Sequence, residues 1–86
     1  MTLTEKTLEE KLRKHITRLY DLAERHSKTP EDVQRNEDLA FGALFFHLSV
    51  IAPNALLYED DDTDICMWWD NEMLVKFKNL KESRRQ

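Results

Sequence analysis

Ile65-Cys66-Met67-Trp68-Trp69-Asp70-Asn71-Glu72-Met73-Leu74-Val75-Lys76-Phe77-Lys78 is the stretch on which the fold turns. Read as strands, Ile65 to Trp69 is a short apolar and aromatic run, and Asp70-Asn71-Glu72 is a turn. Met73, Val75 and Phe77 then alternate with Lys76 and Lys78, the period of a half-buried strand. Read as a helix, Asp70 is the N-cap and Glu72 sits in the first turn, with Met73, Leu74, Phe77 and Leu80 sharing one face. The alternation favours strands. Ala55-Leu56-Leu57-Tyr58 supplies a further short apolar run, which pairs with residues 65–69 across an acidic turn as a hairpin. The expected fold is therefore α+β: an antiparallel helical hairpin followed by a small antiparallel β hairpin or three-stranded sheet. The alternative is an all-α arrangement of three helices.

The helical hairpin is better signposted. Thr7-Leu8-Glu9-Glu10 fits a capping box, and Thr2-Leu3-Thr4-Glu5 fits the same pattern one turn earlier. Leu8, Leu12, Ile16, Leu19 and Ala23 recur at helical spacing as one apolar stripe. Glu9–Arg13, Glu10–Lys14, Asp21–Arg25 and Glu24–Lys28 are (i, i+4) pairs in the favourable order on a solvated face. Thr29 then suits an N-cap, with Pro30 at the first helical position and Glu31 and Asp32 at the positive end of the dipole. This second helix should run from Pro30 to about Ile51, ended by Pro53-Asn54. The short connection around His26–Lys28 makes the two helices antiparallel neighbours.

The second half of that helix is apolar nearly all round. From Leu39 to Tyr58 there is no Asp, Glu, Lys or Arg, and the next fourteen residues, 59–72, hold seven acids and no base. The apolar run 39–52 is too short for a bilayer, which takes ~20 residues, and it contains His47, so no membrane span is expected. A helix apolar on every side has to be covered on several sides. A second copy packing on the 41–51 face, through Phe41, Phe45 and Leu48, would do so, which makes a homodimer a possible state. Gly42 in mid-helix costs about 1 kcal/mol against Ala, and close approach of another helix would account for it.

With 86 residues the chain makes one small domain, 1–86, in which about 81–86 form a tail. The single cysteine forbids an internal disulfide and fits a reducing compartment. Residues 1–13 are polar and lack the apolar core of a signal peptide, so a cytoplasmic location is expected. Charge is segregated: +2 over 1–30, −3 over 31–58, −7 over 59–72 and +4 over 73–86, for a net −4. The basic end can fold back on the acidic segment.

Glu59-Asp60-Asp61-Asp62-Thr63-Asp64 is the densest candidate site. Asp60, Asp62 and Asp64 suit a hard cation. An EF-hand loop starting at Asp60 needs glycine and glutamate where this chain has Ile65 and Asn71, so a solvated acidic turn is favoured over a metal site. His15, His26, His47 and Cys66 match no zinc spacing. Cys66 with His47 and an acid makes a nominal triad, but nearby carboxylates raise a thiol pKa, the reverse of activation. One glycine cannot build a phosphate loop. No enzyme activity and no cofactor are therefore expected.

Trp68 and Trp69 lie beside Asp64 and Asp70, and tryptophan is a frequent anchor of interfaces. The favoured reading is a small cytosolic interaction module, an inhibitor or adaptor. Its partner-binding residues are Glu59, Asp60, Asp61, Asp62, Asp64, Trp68, Trp69 and Asp70, set against a basic protein surface. A metal-binding or metal-sensing domain built on the Asp run is one alternative. A small nucleic-acid regulator using Lys76, Lys78, Lys81, Arg84 and Arg85 is another, opposed by the charge of the rest of the chain.

Overall fold

A computed structural model of the chain describes residues 3–51 and 64–85. Every element among them is helical. Helix α1 spans Leu3–His26 and α2 spans Pro30–Phe46, continued by a π-helical turn over His47–Ile51. Helix α3 covers Asp64–Trp68, a second π turn covers Trp69–Met73, and α4 covers Leu74–Ser83. The last three run on as one rod, so the described residues form three helical rods. The α+β expectation fails, and the three-helix alternative holds.

The reason lies in the spacing of the deciding stretch. Ile65, Trp69, Met73 and Phe77, at steps of four, are buried while Met67 between them is 58% exposed, whereas a strand would set all of these alternate residues on one face. Val75, which the strand reading placed beside Met73 and Phe77, is 46% exposed. A regular α-helix advances about 100° per residue, so each step of four drifts about 40° and three steps lose the core face. The π turn corrects that drift. Its wider i→i+5 bonding, as in the Leu74 amide donating to the Trp69 carbonyl, absorbs one extra residue and holds the stripe in phase. Asp70, expected as a cap, sits inside this turn.

Helix α1 starts at the earlier of its two signals, and Ile16 and Ala23 are fully buried. The Thr29 cap forms as read: the Asp32 amide donates to its hydroxyl at 3.2 Å, with Pro30 first in the helix. Val33, Ala40, Leu44 and Leu48 carry α2 into the core, where Ile65, Trp69, Met73, Phe77 and Leu80 meet them. The Phe77 ring stands edge-on to Tyr20 of α1 at 5.4 Å and lies 6.1 Å from Trp69.

Polar contacts fix the register of the rods. Asn36 donates to the Leu19 carbonyl at 3.0 Å, tying α2 to α1. Lys81 donates to Gln34 at 2.7 Å and lies 3.0 Å from the buried Glu37 Oε1, tying α4 to α2. Of the (i, i+4) pairs read from the sequence, Glu9–Arg13 closes at 2.9 Å, and the other three form no ion pair among the described residues. Residues 81–83, set apart above as a tail, continue α4. Arg84 beyond them donates to the carbonyls of Ser27 and Glu24 at 3.0 and 2.8 Å.

Gly42 faces outward, and a Cβ placed on it meets nothing within 4 Å. No helix among the described residues approaches it. Gly42→Ala is therefore expected to stabilise the isolated chain by about 1 kcal/mol through helix propensity alone, read as a higher Tm in dilute solution. An unchanged or lower Tm would show that the glycine serves the fold itself.

Candidate functional site

Between α2 with its π turn and the 64–83 rod lies a groove of about 570 Å³. Its position follows from the same four-residue spacing that builds the core. Cys66, Asp70 and Leu74 each lie one residue beyond a core position, so they line the flank of the buried stripe rather than its centre. From α2, Phe41, Leu44 and Leu48 face them. Buried Leu44, Leu48 and Trp69 form the floor, while Phe41 and Leu74 keep about half their surface in water. Phe41 stands 6.0 Å from Trp69 and stacks on Phe45 at 6.4 Å, extending the apolar wall beyond the groove.

Three carboxylates rim it: Glu37, Asp38 and Asp70. Gln34 donates to both Glu37 (3.0 Å) and Asp38 (2.8 Å), which orients the α2 pair. Lys81 neutralises Glu37, so the outward field comes chiefly from Asp38 and Asp70. The site is an apolar slot with a negative lip, shaped to take an apolar side chain flanked by a cation.

The residues anticipated for partner binding divide. Trp69 lies in the groove floor and Asp70 on its rim. Trp68 is half-buried on another side of the rod, with the Arg13 guanidinium 5.1 Å above its ring. Asp64 opens α3, whereas Glu59, Asp60, Asp61 and Asp62 lie outside the described residues. Of the anticipated dimer contacts, Phe41 and Phe45 are more than half exposed and Leu48 is buried. Glu37, Asp38, Leu44, Cys66 and Leu74 were not anticipated. The steps of four from Cys66 to Asp70 to Leu74, and the helical spacing of Asp38, Phe41 and Phe45, were the available signals.

No group of three or more His, Cys, Asp or Glu among the described residues is placed to hold a metal ion. His15 and His26 are exposed, and His47 is buried on the core side of its π turn.

Burial pushes the Cys66 thiol above its ordinary pKa, and the charges of Asp70 and Glu9 add to the shift. The thiolate is disfavoured in the fold, so stability tied to this group is present below the ordinary thiol pKa and declines as pH rises through the folded value. Alkylation of Cys66 at neutral pH should therefore be slower in the native protein than in urea. Equal labelling rates in the two states would contradict this environment.

The cations at the C-terminal end are largely engaged within the chain. Lys81 serves Gln34 and Glu37, Arg84 serves the end of α1, Lys76 lies 5.8 Å from the Tyr20 ring centre, and Arg85 is 3.8 Å from Glu82. No helix among the described residues is long and apolar enough to cross a membrane. No family model, no curated protein and no solved structure matches the chain.

Proposed function

We propose that this chain is a small cytosolic protein-interaction module, an inhibitor or adaptor, whose groove between α2 and the 64–83 rod receives an apolar segment flanked by Lys or Arg. The observation that carries this reading is the pairing of an apolar floor with a carboxylate lip. The floor rewards desolvation, and the lip selects positive charge and speeds encounter. The Cys66 thiol on the groove flank is pushed above its ordinary pKa, the reverse of an activated nucleophile, which favours binding over catalysis. The internal engagement of Lys81 and Arg84 removes much of the charge on which a nucleic-acid reading rests.

The test compares wild type, Leu74→Glu and Asp70→Asn as tagged baits in nuclease-treated lysate at low and high salt. Leu74→Glu puts a charge in the slot and should lower capture of the specific partner at least tenfold. Asp70→Asn should weaken capture a few-fold at low salt and have little effect at high salt. A partner held equally by wild type and Leu74→Glu would refute the groove as its site.

A further inference from the structure

The side of α2 that faces away from the core carries its own apolar stripe. Leu39, Gly42, Phe46 and Val50 follow one another at spacings of three, four and four residues, and the π turn at His47–Ile51 keeps Val50 in line. Leu39, Phe46 and Val50 are 56%, 59% and 61% exposed, and Phe45 beside them is 56% exposed. Apolar side chains at such density on a small protein mark a contact surface. No charged side chain lies between Leu39 and Tyr58 to select a polar or ionic partner.

From this we infer that the outer face of α2 binds a second copy of the same chain. The two α2 helices cross antiparallel about a twofold axis near Leu44–Phe45. That axis places Leu39 against Val50 of the second copy and Phe46 against Gly42 of the second copy, each pair occurring twice. The absent Cβ of Gly42 is the hole into which the ring fits, and the open space around it within one chain is what the pairing requires. The antiparallel sense is selected because a parallel pair would set Arg35 against Arg35. Antiparallel dipoles also place each acidic first turn away from the other.

The area suffices. Side chains of this size have full areas of roughly 150–250 Å². Leu39, Phe45, Phe46 and Val50, each a little over half exposed, offer on the order of 500 Å² per copy. Two copies then bury about 1,000 Å², the threshold for a specific interface. Phe41 and the groove stay outside this contact, so the dimer stands independently of the partner site proposed above.

Sedimentation equilibrium of the full chain over a wide concentration range is the test, with far-UV circular dichroism as the folding control. Wild type should approach twice the 10.3 kDa of one chain. Gly42→Gln fills the hole with a better helix former and should weaken dimerisation at least tenfold without loss of helicity. Phe46→Ala removes the knob with a strong helix former and should do the same. Joining Gly42→Phe with Phe46→Gly exchanges knob and hole and should restore the dimer. A wild-type monomer at every concentration would overturn the inference. So would a dimer indifferent to Gly42→Gln, or one lost on Leu74→Glu in the groove instead.

Discussion

Phe77→Ala is expected to cost about 3–5 kcal/mol and to bring the protein to the edge of unfolding. The side chain is fully buried where all three rods meet. Its ring contacts Tyr20 of α1 edge-on and Trp69 of the π turn, and each aromatic pair adds roughly 0.5–1.5 kcal/mol to the area term. Alanine leaves a cavity that the two partners cannot close, because Trp69 is held from its other side by Phe41. A chain of this length has little reserve. Urea denaturation should show a greatly lowered midpoint or no native baseline, whereas Phe77→Leu, nearer in volume, should cost less than half as much. A loss below about 1 kcal/mol for Phe77→Ala would mean that α4 does not dock through this ring.

Arg84→Ala is expected to cost about 1–2 kcal/mol, a large effect for a residue near the chain terminus. Helix α1 ends in His26-Ser27-Lys28 with no glycine, and no described residue adopts a left-handed conformation that would cap it. Its last carbonyls would be left to water. Arg84 reaches across from the end of α4 instead: Nε donates to Ser27 O and Nη2 to Glu24 O, with its charge at the negative end of the α1 dipole. Ser83 braces the guanidinium at 3.0 Å. Arg84→Lys should recover only part of the loss, since an ammonium cannot reproduce the two-pronged contact. Arg85→Ala is the control: its 3.8 Å pair with Glu82 is exposed, and no measurable change is expected. Equal Tm values for Arg84→Ala and Arg85→Ala would sink the capping role. Faster amide exchange over residues 23–28 in Arg84→Ala would support it.

The helical hairpin was legible because its signals are local. Thr29, Pro30, Glu31 and Asp32 each satisfy a requirement of a helix start, and the α1 stripe keeps a regular helical period. The 65–78 segment misled because two periods coincide over a few residues. Met73, Val75 and Phe77 alternate for as long as a short strand needs, and only the longer run from Ile65 to Phe77 shows steps of four. Recognising those steps required allowing for a π turn, which breaks the usual helical count. The groove was half legible. Trp69 and Asp70 were singled out as interface residues. Their companions Leu44, Cys66 and Leu74 become visible only once the rods are packed, since a groove is a property of two elements together. Arg84 was hidden for the same reason: its partners lie 57 and 60 residues away.

The wide turn at Trp69–Met73 acts as a phase shifter. The chain carries one residue there beyond what an unbroken α-helix would need to join the same two faces, so the segments before and after it are out of step by one position. A helical wheel drawn through 64–83 as a single α-helix spreads the buried Ile65, Trp69, Met73, Phe77 and Leu80 over about 120°. Drawn as two wheels meeting at the turn, it shows one continuous seam. Any alignment of a related chain that replaces the wide turn with regular helix must place a one-residue gap between 69 and 73. Without that gap, every core position on one side would be matched to a surface position on the other.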